Sequence, residues 1–427
     1  RALGEQYEQI SNGKVKLSLL DPIRSPDATE KKITEYGSVF KSTYKRSIFT
    51  HDLIVVDART KEEQAAAAGK AGNNAHIRFI ESDSMVQYST DDRNNARKPT
   101  GYLGEDSITT ALLKAIEGNP RKLYYIADKS AVAQGGEGST WANFEGVMQS
   151  RNLMPERINI AGLTAIPEDA SAVAIIGPAY DFTAEELKVL EDYWNRPRSS
   201  LLVTVSAAET PARFRAFLRN LGVTPRHDRV VGSKGGEIST VVVGQFAKGM
   251  NFTKDFWDQT VVFEGSTCSL EVRDQNAEDL NTRKIVPYAL IETDKDGYWG
   301  ETDFGQGNPE FDPQRDNKPP LRLAAAVIRG AATDDKLAGE ISRMVVISNT
   351  DFLDPARFSS IHRDFLASSV DWMIGREQLI GQGPRSFGTY KLPLLDSQVS
   401  FINRVNLMFL PAFALLAGAI VWSSRRA

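Results

Sequence analysis

The sequence predicts an α/β protein: a small N-terminal α/β unit, a larger domain on a parallel sheet, and a single C-terminal transmembrane helix. Three observations predict it. Between residues 122 and 221, short apolar runs alternate with amphipathic stretches, as they do where helices cover both faces of a parallel sheet. Residues 172–177 (AVAIIG) and 201–205 (LLVTV) are continuously apolar, as strands buried on both faces are. An unbroken apolar run, LMFLPAFALLAGAIVW, then begins at Leu407 and ends at Trp422. At 427 residues the chain is long enough for two or three domains.

The N-terminal unit is expected over residues 1–100. In 14–20 (KVKLSLL), Val15, Leu17 and Leu19 alternate with polar residues, which predicts a half-buried strand stopped at Asp21-Pro22. Residues 52–57 (DLIVVD) predict a more buried strand, and 61–74, rich in alanine, a short helix and a loop. Residues 76–81 and 85–88 predict a hairpin around Ser82, Asp83 and Ser84. The polar stretch 89–101 closes the unit.

The central domain is expected over 101–380. Ile108, Ala111, Leu112, Ala115 and Ile116 recur at helical spacing, and Gly118 and Pro120 end that helix. A strand over 122–127, a helix over 141–151 and a short strand over 158–161 follow. After the 172–177 strand, Thr183 and Glu186 have capping-box spacing, Phe182 and Leu187 stand where a hydrophobic staple belongs, and Leu187, Leu190 and Trp194 supply the inner face. A helix over 211–221 follows the next strand. Residues 237–291 change to a β-rich insertion, with strands over 241–246, 260–272 and 288–291. A polar loop fills 294–320. Strands over 323–328 and 344–348 and a helix over 361–374, ended by Gly375, complete the domain. Residues 381–400 are a linker.

The transmembrane helix is expected over 401–424. A span needs about 20 mostly apolar residues; Phe401, Ile402 and Val405 lengthen the run, and Arg404 can reach the headgroups. Pro411 lies in the first turns, where a missing N–H costs least. Arg425 and Arg426 predict a cytoplasmic C-terminus, which places the body outside the cytoplasm. Gly418 and Ala419 are small enough to let another helix approach closely. Leu407, Pro411, Leu415, Gly418 and Trp422, with Arg425 and Arg426, are therefore the expected contact with a membrane partner. The chain begins at Arg1 rather than Met, so a preceding signal or membrane segment is expected.

The net charge of −4 provides no basic footprint for nucleic acid. One cysteine, Cys268, excludes an intrachain disulfide and a cysteine-based zinc site, and no local base or cation would activate it. The histidines His51, His76, His227 and His362 have no zinc-ligand spacing. Gly135, Gly136 and Gly138 follow a strand and precede a helix, where a phosphate cradle would lie, but Trp141 stands where a dinucleotide fingerprint needs its third glycine. No GxxxxGK[ST] loop occurs. The nearest approach to GxSxG, at 231–235, lacks its first glycine. Asp294, Asp296 and Asp303 lack the calcium-loop spacing, because Gly297 and Tyr298 fall at the wrong positions. Open α/β sheets bind ligands at the carboxyl ends of their strands, so Gly135, Gly136, Gly138, Pro178 and Asp181 form the candidate cleft rim. No catalytic, cofactor-binding or metal-binding residue is assigned.

Three segments carry a family resemblance: GEDSITTALLKAIEGNPRKLYYIAD, IPEDASAVAIIGPAYDFTAEELKVLEDYWNRPRSSLLVTV and SRMVVISNTDFLDPARFSSIHRDFLASSVDWMIGREQLI. In their order, and with the tail after Ser400, the chain resembles the GldG-type extracytoplasmic auxiliary subunits of gliding-motility and uncharacterised ABC transport systems. Residues 196–199 replace the glycines those proteins usually carry, and Ser348-Asn349-Thr350 replaces their Gly-Asp-Ser. The resemblance implies a thioredoxin-like N-terminal unit without CxxC and a central domain of the intraflagellar-transport/amidotransferase-like type without the amidotransferase nucleophile. It carries over no catalytic residues.

The function expected is a non-catalytic subunit anchored in a bacterial inner membrane, gliding motility among the roles implied. Its partners would be an ABC permease, a separate ATPase, an envelope protein and the lipid bilayer, with no nucleic acid and no cofactor. Two alternatives stand beside it: a membrane-tethered ligand-binding module and a degenerate amidotransferase-like hydrolase.

Overall fold

The computed structural model describes residues 2–43, 53–66, 74–90, 97–132, 139–207, 210–234, 237–274, 277–304, 309–330, 341–376 and 385–386. The chain divides into two compact units, Arg1–Gln87 with Leu103–Pro384, and Tyr88–Tyr102 with Arg385–Ala427.

The first unit holds the main sheet. Its helical half runs β1 (Arg121–Ile126), α1 (Thr140–Ser150), β2 (Leu153–Ile158), β3 (Ala170–Ile176), α2 (Ala184–Trp194), β4 (Ser200–Thr204) and α3 (Ala212–Asn220). Then come β5 (Val242–Phe246), β6 (Thr260–Phe263), β7 (Ile285–Thr293), β8 (Arg322–Arg329), β9 (Ser342–Ile347) and α4 (Ser360–Met373). The strands lie in the order β6-β5-β7-β8-β9-β4-β3-β1-β2. From β9 to β2 every pair is parallel; from β6 to β9 every pair is antiparallel. The sheet is therefore mixed. The 237–291 stretch, expected as an insertion, adds β5, β6 and β7 to the same sheet as its antiparallel half.

Burial explains the strand sequences. Ser200–Thr204 is buried at every position, and Ala170–Ile176 is buried from Ala172 onward. One apolar layer contains Phe144, Met148, Phe246, Phe256, Phe365 and Trp372. The other contains Phe182, Leu190, Trp194, Phe214, Phe217 and Leu218. The α2 capping box forms as expected: Thr183 Oγ1 accepts from Glu186 N and Glu186 Oε2 accepts from Thr183 N at 2.8 Å. Gly118 and Gly375, at φ of 74° and 78°, end their helices, a conformation glycine adopts without a Cβ penalty.

The N-terminal part of this unit departs from expectation. Strand Leu53–Asp57 pairs antiparallel with Ile77–Glu81, so Ile77–Glu81 is not in a hairpin with the segment after it. Helix Gly104–Glu117 packs on this ribbon through Ala111 and Ala115 against Val56 and Ile80. Residues 14–20 form no strand; the helices Ala2–Ile10 and Pro26–Thr43 flank them instead. Alternation gives a strand only where a partner edge accepts it, and among the described residues none is paired with this segment. Likewise residues 158–161 are not a strand, because pairing with β1 moves that strand back to Leu153–Ile158. The polar loop 294–320 also contains a strand, Tyr298–Glu301, which pairs with Arg229–Lys234.

In the second unit Arg385–Ser386 pairs antiparallel with Arg97–Tyr102, and the same three-stranded sheet includes strand Val86–Thr90, which belongs to this unit from Tyr88 onward. No described helix is long and apolar enough to cross a membrane. The expected transmembrane helix, with Leu407, Pro411, Leu415, Gly418, Trp422, Arg425 and Arg426, lies outside the described residues.

Candidate functional site

The strand order β2-β1-β3-β4-β9 fixes where a site would be. The chain moves from β1 outward to β2, then crosses back to β3 and continues to β4 and β9. The switch point therefore lies between β1 and β3, and open α/β sheets bind ligands in the crevice there, because the loops on either side diverge. The loops in question are Asp128–Ser130 after β1 and Gly177–Asp181 after β3.

Here the two loops are joined to each other. Ala131 N donates to Gly177 O at 3.0 Å, and Ala179 N donates to Lys129 O at 2.8 Å. Ser130 and Pro178 form an antiparallel bridge. Ser130 Oγ donates to Ile176 O at 2.5 Å and accepts from Val132 N at 3.1 Å. The floor is filled as well. Gly177 has φ of 54°, and methyl groups of Thr350 and Val132 lie 3.2 and 3.3 Å from where its Cβ would stand. Thr350 Oγ1 in turn meets Thr204 Oγ1 at 2.9 Å, so the ends of β3, β4 and β9 are tied by side chains.

A buried ion pair closes the near side. Lys129, only 9% exposed, places Nζ 2.8 Å from Glu186 Oε2 and donates to Asp181 O at 3.2 Å. The same Glu186 oxygen caps α2, so one carboxylate serves the helix N-terminus and the lysine together. Asp181 Oδ1 accepts from Phe182 N and Arg213 N at 3.0 and 3.2 Å. Backbone donors at a helix N-terminus are what an anionic ligand would use; here this chain's own oxygens take them. Ser139 Oγ does the same at α1, accepting from Ala142 N at 3.1 Å.

Of the expected rim, Pro178 and Asp181 stand at the switch point, while Gly135, Gly136 and Gly138 lie outside the described residues. Tyr180 projects from this surface, 63% exposed. The Lys129–Glu186 pair, whose members are far apart in the chain, left no sign in the sequence beyond a lysine following an apolar strand.

Of the groups weighed for chemistry, Cys268 and His362 are built into the fold. Cys268 is fully buried, and burial pushes its thiol well above the usual range. His362 is 3% exposed; its Nε2 meets Val262 O at 2.9 Å and its Nδ1 stands at the α4 cap, and burial lowers its pKa. His76 Nδ1 meets Ala115 O at 2.7 Å. His227 lies edge-on to Phe304, and His51 is outside the described residues. Asp303 pairs with Arg315 at 3.9 Å. Among the described residues, no three His, Cys, Asp or Glu side chains gather as a metal site. An open groove of about 660 Å³ lies away from the switch point, lined by Lys248, Arg273, Tyr288, Glu292 and Arg322. Glu292 and Arg322 pair across it at 3.4 Å.

No protein-family model matches the sequence, and no curated protein does. Among solved structures the chain is similar to the mmIFT52 N-terminal domain at 14% identity and a TM-score of 0.41, over 59% of this chain and 97% of that one. It is also similar to a ThuA-like protein from Parabacteroides merdae, at 10% identity and a TM-score of 0.36, over 60% of this chain and 90% of that one. A ThuA-like protein from Bacteroides uniformis matches at 10% identity and a TM-score of 0.35, over 60% and 92%.

Proposed function

We propose that this chain is a non-catalytic, membrane-anchored auxiliary subunit of a bacterial ABC transporter, whose body relays or recognises rather than reacts. The central domain would be of the intraflagellar-transport/amidotransferase-like type and the N-terminal unit thioredoxin-like. The observation that carries the non-catalytic part is the closed switch point. Where a doubly wound sheet would open a crevice, the two loops are hydrogen-bonded together and the helix N-terminus is capped from within. A surface of that kind, with Tyr180 exposed on it, suits contact with another protein. The membrane part rests on the sequence: the apolar run ending at Trp422, the arginine pair after it, and the resemblance of the chain to GldG-type subunits.

In this reading the tail packs against the permease, and a separate chain supplies the ATPase. The body lies outside the cytoplasm and meets an envelope partner. The anchor is tested by alkaline carbonate washing of membranes. The full chain is expected to stay with the membrane and a version ending at Ser400 to be released. Release of both would remove the anchor from the account.

The groove lined by Lys248, Arg273, Glu292 and Arg322 supports a second reading, a tethered ligand-binding module. A small molecule retained through purification, and lost on Arg322→Ala, would favour it.

A further inference from the structure

Helix Gly104–Glu117 lies on the ribbon through its apolar side, Ala111 and Ala115, and meets the body of its unit through charge. Asp106, Lys114 and Glu117 recur at spacings that bring them to one side of a helix. Asp106 pairs with Arg151 at 3.8 Å. Glu117 accepts from Arg376 Nε at 2.8 Å and Asn152 Nδ2 at 3.1 Å, and pairs with Arg121 at 3.1 Å. Arg151 and Arg376 also flank Asp371, at 3.5 and 3.7 Å. The carboxylates of this cluster are thus engaged by arginines.

Lys114 stands among the cations. Its Nζ donates to Gln149 O, in the last turn of α1, at 3.0 Å, which holds the half-buried amine in place. From the ribbon, Arg78 Nη2 donates to Gly118 O at the end of the same helix, at 2.8 Å. From the end of α4, Arg376 Nη1 donates to Arg151 O. Arg78, Arg151 and Arg376 are the positive charges that bear on Lys114, with Asp106 opposing them. Burial, then those three guanidiniums, push its pKa down to about 8. A lysine desolvated beside other cations is an activated nucleophile. A half-buried amine favours a small electrophile, and the guanidiniums favour a product bearing a carboxylate, which arginine binds in a fork.

We propose that Lys114 is a carbamylation site, where the amine takes up carbon dioxide and Arg78, Arg151 and Arg376 hold the carbamate. The Nζ lone pair forms a bond to the carbon, one C=O π pair moves onto oxygen, and Nζ gives up a proton to solvent. No electron is gained or lost overall. A cation facing three guanidiniums becomes an anion facing them. Carbon dioxide would thereby tighten helix Gly104–Glu117 and its ribbon onto the body. The inference is independent of the transporter reading.

Trapping tests it. The full-length protein, equilibrated with labelled bicarbonate at about pH 8, is alkylated with triethyloxonium, which fixes carbamates as esters, and its peptides are read by mass spectrometry. Lys114 is expected to carry at least about tenfold more label than Lys188, whose side chain is 73% exposed. Arg78→Gln should lower that label severalfold, by restoring the charged amine and removing a partner of the carbamate. If this variant fails to fold, the comparison with Lys188 decides alone. Amide exchange in Gly104–Glu117 should slow severalfold in bicarbonate relative to chloride at equal pH and ionic strength, and the slowing should vanish in Lys114→Met. Equal label on Lys114 and Lys188 overturns the proposal. So does slowing without label, which would show bicarbonate bound only as an ion.

Discussion

At the scale of single residues, buried charges matter most. Removing one member of a buried pair leaves the other uncompensated, at a cost of about 3–5 kcal/mol. Lys129→Met should therefore lower stability by that order in urea unfolding, and Lys129→Met with Glu186→Gln should recover part of it, since the two are in direct contact. Equal losses in the single and double variants would show that the pair is not coupled. Asp228 is a second case. It is fully buried and accepts from Ser269 N, Ser269 Oγ and Asn317 Nδ2 at 2.7, 2.6 and 2.7 Å. A methyl group on Gly300 would run into Asp228 Oδ2, so Gly300→Ala should cost roughly 2–3 kcal/mol through those lost bonds, measured the same way. None of this was legible from sequence. Lys129, Glu186, Asp228 and Gly300 carry no local pattern that separates a buried charge from a solvated one. What was legible was the burial of Cys268, because it sits in an apolar alternating segment.

Asp371 links residue chemistry to pH. It is 1% exposed, and burial pushes its pKa up to about 6, opposed by Arg151 and Arg376 and reinforced by Asp106 and Glu117. Arg151 lies 3.5 Å away and Arg376 3.7 Å away. Arg376 is bound as well to Glu117 and to Arg151 O, so this cluster fastens the end of α4 to helix Gly104–Glu117. A folded pKa above the unfolded value means the folded state holds the proton more tightly. Its contribution is fully present below about pH 4 and is lost as pH rises through about 6. Urea midpoints of the wild type, relative to Asp371→Asn, should fall across that window and then level off. Parallel pH profiles would contradict the assignment.

At the scale of elements, helices were the most legible and pairing the least. Thr183 and Glu186 announced the start of α2 because a cap is a local interaction. Thr183→Ala should cost about 1 kcal/mol, and a change below measurement error would mean that Glu186 alone holds the helix start. Strand partners depend on residues far along the chain. Residues 76–81 were expected to pair with the segment after them, but pair with Leu53–Asp57 instead. Residues 14–20 had the right alternation and, among the described residues, no strand partner. The tail is a third element, argued from sequence alone. If Gly418 lets a permease helix approach, Gly418→Leu should reduce recovery of the complex while membrane insertion stays intact; unchanged recovery would leave the tail an anchor only.

At the scale of the whole molecule, the α/β class and the parallel half of the sheet followed from continuous apolar strands alternating with capped helices. The antiparallel half did not, since short strands such as Thr260–Phe263 do not reveal which sheet they join. Two of the expected rim residues, Pro178 and Asp181, stand at the switch point between the loops after Arg121–Ile126 and Ala170–Ile176. Its closure was invisible, because it depends on backbone bonds between Lys129 and Ala179 and between Ala131 and Gly177. That closure is the observation behind the proposed relaying or recognising role. The most direct test of the central claim is to purify the full-length protein from native membranes in mild detergent and identify by mass spectrometry what accompanies it. The account predicts a multi-span permease and a separate ATPase in fixed proportion to this chain. Recovery of this chain without either, across several detergents that keep membrane complexes intact, would contradict it.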